Sequence, residues 1–177
     1  MKALSWTHPM AEVPERGLDI GRKANDGERA RLAAALEILA IDNLTLSGRI
    51  VPRGAGHFRL DGRLHASVVQ ACVVSLDPIA SRLDVPLAID LVPAGEIAAA
   101  AVADDAADDP LAARLAEPIE NGVVDLGDIV FQEMSAALDP YPRLPDAELE
   151  RREATGDDPD AANPFAKLRA LKPTPRE

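Results

Sequence analysis

The strongest constraint on what this chain can fold into is a run of alternating side chains through its middle. Leu44, Leu46, Gly48 and Ile50 alternate with Thr45, Ser47 and Arg49; after a break, Phe58, Leu60, Gly62, Leu64, Ala66 and Val68 alternate with His57, Arg59, Asp61, Arg63, His65 and Ser67. A period of two marks a strand with one face buried and one face wet, and a helix cannot satisfy it because its faces repeat every 3.6 residues. Pro52 to Gly56 then joins the two strands as an antiparallel hairpin. Val69, Ala71 and Val73 take the opposite parity to Val68, which implies a bulge, a sharp twist or burial on both faces. After the Asp77-Pro78 turn a third strand carries Val85, Leu87, Ile89 and Leu91 on one face.

Helical spacing flanks these strands. From Glu28 to Ala40, Leu32, Leu36 and Leu39 recur with Ala33, Ala35 and Ala40, while Asn25 and Glu28 have the spacing of a capping box and Asp26 is a rival cap. Asp125 is placed to cap a second helix, with Phe131, Met134 and Leu138 on its stripe and Asp139-Pro140 as its stop. Residues 1 to 24, broken by Pro9 and Pro14, read as an irregular or edge-strand lead-in. The expected fold class is α+β: an antiparallel β-meander packed against helices, with a long acidic loop and a flexible C-terminal tail.

Charge divides the chain differently. Of 177 residues, 19 are Lys or Arg and 30 are Asp or Glu, for a net charge of −11, yet residues 1 to 95 sum to zero, 96 to 160 to −14 and 161 to 177 to +3. The expected organisation is a domain at 1–145 with an Ala- and Asp-rich acidic loop at about 94–118, a charged linker at 146–162, and a basic amphipathic motif at 163–177. In that motif Asn163 and Pro164 supply a cap and a first-turn proline, Phe165, Leu168 and Leu171 share a face, and Lys167, Arg169 and Lys172 surround it. A helix this short needs a surface to dock on, either its own domain or a partner. The net negative charge excludes a generic nucleic-acid coat, and five aromatic residues leave little for stacking on bases. One cysteine closes no internal disulfide, and no signal or membrane run is visible, so the expected address is cytoplasmic with no membrane partner.

Known chemistry is sparse. Gly54-Ala55-Gly56 lacks the spacing and following helix of a phosphate loop. His57 and His65 stand about 26 Å apart along one strand and cannot share a metal, His8 reads as a surface histidine in the lead-in, and Cys72 reads as a buried core thiol. Asp104, Asp105, Asp108 and Asp109 lack the glycine and closing glutamate of a calcium loop. Glu117, Glu120, Asp125, Asp128 and Glu133 have no nucleophile or histidine tied to them by spacing. The expectation is no catalytic residue, no metal, no cofactor and no small-molecule substrate. The polar face of the hairpin stands out instead: if residues 50 and 58 pair, Arg49 lies opposite Arg59, with Arg53, Arg63, His57 and His65 nearby. Such like charges need an anion, an acidic segment of this chain or a partner to relieve them.

Three segments together carry a resemblance: Gly62-Arg63-Leu64-His65-Ala66 through Cys72-Val73-Val74-Ser75-Leu76-Asp77-Pro78-Ile79; Val124-Asp125-Leu126-Gly127-Asp128-Ile129-Val130 running to Leu138 and Pro142; and Asn163-Pro164-Phe165-Ala166-Lys167-Leu168 with Leu171-Lys172. In order and spacing, over roughly residues 10 to 172, they resemble the YceD family, described as large ribosomal RNA subunit accumulation proteins. The resemblance implies a bacterial cytosolic factor, related to a plastid form, linked to accumulation or processing of 23S ribosomal RNA, in a family whose genes often neighbour that of a small large-subunit ribosomal protein. Many relatives carry Cys-x-x-Cys at the second turn and another cysteine after the proline-rich segment. Here the matching positions hold Cys72, Ser75 and the thiol-free Arg143-Leu144-Pro145, so no metal or redox role carries over. The expected function is a non-enzymatic factor in large-subunit biogenesis that contacts a ribosomal protein or 23S rRNA precursor. The candidate partner-binding residues are Arg49, Arg53, Arg59 and Arg63 with Asn163, Pro164, Phe165, Lys167, Leu168, Arg169, Leu171 and Lys172. A ribonuclease or its accessory acting on precursor rRNA, and a general protein-interaction module, are the alternatives.

Overall fold

The computed structural model describes residues 2 to 97 and 116 to 145. Most of the acidic loop, the 146–162 linker and the 163–177 motif lie outside the described residues. Within them run β1 (Thr7–Pro9), a 3-10 turn (Met10–Glu12), β2 (Leu18–Lys23), α1 (Asp26–Ala35), β3 (Ala40–Gly54), β4 (His57–Ala71), β5 (Pro78–Pro93), β6 (Ala116–Ile119), β7 (Val123–Asp125) and α2 (Leu126–Ala137). Residues 94 to 97 are also helical. The fold is α+β. The order β2-β3-β4-β5-β6 forms a sheet, antiparallel except for the parallel β5–β6 pair, and β1 and β7 form a separate two-stranded ribbon.

The alternation decides where the core lies. Leu44, Leu46 and Ile50 of β3, Leu60, Leu64, Ala66 and Val68 of β4, and Leu87, Ile89 and Leu91 of β5 are buried together with Leu32 and Ala33 of α1 and Leu126, Ile129, Val130 and Met134 of α2. Both helices therefore pack on one face of the sheet and leave the other face wet. In β4 the buried parity continues unbroken from Leu64 to Gln70 and on to Cys72, while Val69 and Ala71 are half-buried. Of the three explanations for the parity change, burial on both faces is the one that fits this strand. The bulge lies in its neighbour, where Asp42 is the extra residue between Ile41 and Asn43.

The hairpin register differs from the 50-to-58 pairing expected above. Ile50 pairs with Leu60, so Arg49 faces Asp61 rather than Arg59. The loop is shorter than Pro52 to Gly56: the strands close around Ala55 and Gly56, whose positive φ values of 52° and 79° give the turn whose twist matches a hairpin. Arg53 is left over between Pro52 and Gly54 as a bulge, opposite the Phe58–His57 step. Together these slide β4 by two residues, which preserves the buried face and changes every cross-strand charge pair.

Helix α1 starts as expected, with the Asn25 side chain accepting from the Glu28 N–H and the Glu28 carboxylate accepting from the Asn25 N–H, each at 2.9 Å. Glu28 also accepts from the buried indole of Trp6 at 3.0 Å. The end is earlier than Ala40. Glu37 turns left-handed at φ 56°, and the Glu37 and Ile38 amides bond back to Ala34 and Ala33, so the helix closes in a Schellman motif. Leu39, expected on the apolar stripe, is exposed, and Ala40 begins β3. The sheet also has two strands more than the expected meander, β2 and β6. Residues 116 to 118, expected as loop, are in β6, which is followed by Asn121-Gly122 with φ values of 52° and 78° between mutually bonded Glu120 and Val123. His8, expected on the surface, lies in β1 and is buried, and its Nε2 has no hydrogen-bond partner. No helix among the described residues is long and apolar enough to cross a membrane.

Gly48 and Gly62 pair directly across β3 and β4. A Cβ at Gly62 would lie 2.5 Å from the Ser47 carbonyl oxygen, and one at Gly48 2.8 Å from that of Asp61. Gly62→Ala is expected to destabilise the fold by about 1 to 3 kcal/mol, because backbone must move to admit the methyl. Gly21→Ala, with nothing within 4 Å of its Cβ position, serves as the neutral control in urea unfolding.

Candidate interaction surfaces

The hairpin arginines lie on the wet face of the sheet, and the observed register surrounds them with carboxylates. Arg49 sits between Asp19 of β2 and Asp61 of β4 in cross-strand register, bonds Asp19 at 2.7 Å, and donates to the Arg16 carbonyl. Arg59, paired with Asp90 across β4–β5, meets that carboxylate at 2.8 Å and Asp61 at 3.2 Å, and both raise its pKa. Arg63 donates to both oxygens of Asp84 at 2.9 Å, and His65 lies 3.5 Å from the same side chain. His57 meets Glu96 at 2.7 Å. Of the four candidate arginines only Arg53, exposed at the bulge, has no partner among the described residues. The like-charge crowding expected on this face is absent, because alternate strands supply opposite signs. Asn163, Pro164, Phe165, Lys167, Leu168, Arg169, Leu171 and Lys172 lie outside the described residues.

A second surface is an acidic cleft of about 300 Å³ where β6, β7 and the start of α2 meet, lined by Glu117, Glu120, Asp125, Asp128 and Lys2 among others. Asp125 caps α2 by accepting from the Gly127 and Asp128 amides, and it also holds the Lys2 ammonium, whose pKa it raises. Burial pushes the Glu117 carboxyl above the usual carboxylate range; Asp128 and Glu133 add to the shift and the Gln132 amide opposes it. Among the described residues no group of three or more His, Cys, Asp or Glu side chains is placed to hold a metal ion.

The third surface lies at the end of the sheet where β4 exits, and sequence periodicity does not announce it. A groove of about 460 Å³ is walled by Leu36, Glu37 and Ile38 after α1, Ala71 and Val73 at the end of β4, and Phe131, Leu138, Asp139, Pro140 and Pro142 at the end of α2. Its parts are bonded together: the Gln70 amide donates to the Asp139 carbonyl at 2.9 Å, the Val73 amide to the Pro142 carbonyl at 2.8 Å, and the Tyr141 amide to the Asp139 carboxylate at 2.9 Å.

Beside the groove the β4–β5 turn folds back on Cys72. The thiol is buried, as expected. The Ser75 amide donates to it at 3.5 Å, and the Ser75 hydroxyl with the Leu144 and Val74 amides, nearby, favours its charged form. These donors outweigh burial and lower its pKa from 9.0 to about 6.

No protein-family model, curated protein or solved structure matches the chain.

Two titrations follow from these sites. A thiol whose folded pKa is depressed stabilises the fold fully above its unfolded value near 8.5 and loses that contribution as pH falls through about 6. In urea unfolding the stability of the parent protein should therefore climb relative to Cys72→Ala between pH 6 and 8.5, and equal slopes would refute the thiolate. Glu117 has the opposite sign: its raised carboxyl pKa opposes folding once ionised. Glu117→Gln should stabilise the protein at pH 7 to 8, with the gain vanishing as pH drops below about 4.

Proposed function

We propose that this protein is a non-enzymatic factor in biogenesis of the large ribosomal subunit, and that it supports 23S rRNA accumulation or processing by contact with a basic ribosomal protein. The observation that carries the choice of protein over RNA is the pairing on the hairpin face. A phosphate approaching Arg49, Arg59 or Arg63 meets an aspartate within 3.2 Å of the same guanidinium, so none of the three is a free cation. Counterion release, which drives most phosphate binding, has little to act on there. A protein of net charge −11 instead attracts the lysine- and arginine-rich proteins of a ribosomal subunit. The link to the large subunit comes from the sequence resemblance alone.

Pull-down of large-subunit proteins on the full tagged chain, with separate ribonuclease and high-salt washes, tests the reading. The expected result is retention through ribonuclease and loss in salt. Loss with ribonuclease alone would move the contact to RNA, and capture of no large-subunit protein under any wash would overturn the assignment. The purified chain should leave precursor 23S rRNA uncut.

A further inference from the structure

We propose that the groove at the exit of β4 is the docking site for a basic polypeptide segment that brings apolar anchors, so that the contact with a ribosomal protein is made there and not on the arginine face. The source of the segment rests on the function proposed above; the chemistry of the groove does not.

Three observations select this occupant. The first is apolar exposure. The exposed large hydrophobic side chains among the described residues are Leu39 at 56 %, Val73 at 52 %, Leu76 at 74 % and Tyr141 at 77 %. All four belong to this end of the molecule: the Leu39 amide bonds the Val69 carbonyl, Val73 bonds Pro142, Leu76 bonds Cys72, and Tyr141 bonds Asp139. Of these Val73 lines the groove, together with the half-buried Leu36, Ile38, Phe131 and Leu138, and apolar side chains gathered in this way mark a surface that binds. The second is shape. The groove is held by hydrogen bonds from Gln70 and Val73 and framed by Pro140 and Pro142, so little ordering is required on binding.

The third is charge. Both helices end at this groove, and neither has a basic residue in its last turn. The negative ends of two helix dipoles therefore face it without compensation from their own side chains. Glu37 and Asp139 line it and no lysine or arginine does. An acidic or neutral apolar segment would leave that potential unanswered, whereas a lysine or arginine flanking an apolar anchor answers it. Leucine- or phenylalanine-sized anchors fit a volume near the lower part of the 300 to 1,000 Å³ range of ligand pockets.

The test uses the full chain, a synthetic amphipathic Leu/Lys peptide as probe, its Leu/Glu counterpart, and RNA-free large-subunit proteins. The Leu/Lys peptide should bind and the Leu/Glu peptide should not. Val73→Glu should weaken the Leu/Lys peptide at least tenfold even though it adds a negative charge, which separates groove docking from general attraction to an acidic protein. Glu37→Lys, at an exposed side chain, should weaken it as well, while Arg53→Glu at the far hairpin tip should not. Both groove variants should retain the parent circular dichroism spectrum and unfolding midpoint. A photo-crosslinker at Tyr141 should then capture large-subunit proteins, in competition with the peptide. Peptide binding unchanged by Val73→Glu, or crosslinking confined to the chain's own residues 146 to 177 or to a second copy, overturns the groove. Peptide binding that behaves as expected while no large-subunit protein competes supports the groove and overturns the ribosomal source.

Discussion

The fold depends on burial of one face of a long, twisted antiparallel meander. With α1 and α2 both on that face, the opposite face of β3, β4 and β5 stays in water, and its side chains must make do with one another. This is why the cross-strand register has consequences beyond packing. A slip of two residues keeps every buried leucine where it was and re-pairs every exposed charge, so the short turn at Ala55-Gly56 and the bulge at Arg53 decide whether the face is a cluster of cations or a neutral lattice. They give the lattice. Each pair is exposed and contributes at most about 1 kcal/mol, and their combined effect is on what the surface attracts, not on how firmly it is folded.

The parts of the structure that were legible in the sequence were those written in a repeat or a cap. The alternation of β3 and β4, the leucines and isoleucine of β5, the capping box at Asn25 and the Asp125 cap all rely on neighbours a few residues apart. The hairpin register was not legible, because both pairings satisfy the same apolar pattern and only turn geometry separates them. The end of α1 was hidden by Leu36 and Leu39, which continue the helical spacing while Glu37 turns left-handed, a conformation usually marked by glycine. Strand β6 was within reach: Asn121-Gly122 is the strongest short signal for a tight hairpin turn, and it lay next to residues read as loop. The groove is different in kind. Leu36, Val73 and Leu138 come from three separate segments, and no local pattern relates them.

Cys72 shows how a buried group can organise a surface. Its sulfur collects donors from both the β4–β5 turn and the segment at Leu144, and the Val73–Pro142 bond runs alongside. The Val73–Pro142 bond fastens the chain leaving α2 to the chain leaving β4, at the edge of the groove. A thiolate suits this better than a thiol, because amide and hydroxyl dipoles aimed at one point favour negative charge there.

That junction also explains why binding capacity and charge neutrality sit at different ends of the molecule. On the wet face of the sheet Asp19, Asp61, Asp84 and Asp90 answer Arg49, Arg59 and Arg63 in place, so an approaching polyanion finds those three guanidiniums already paired. At the exit of β4 the same economy fails. Two helices end together, their last turns lack cations, Glu37 and Asp139 add to the negative potential, and the Schellman closure that ends α1 pushes Leu39 out instead of covering it. Apolar side chains and acidic side chains beside helix C-termini are each ordinary on a protein surface. Placed together in a groove whose walls are already hydrogen-bonded, they require a partner that supplies an apolar anchor and a positive charge within the same few residues.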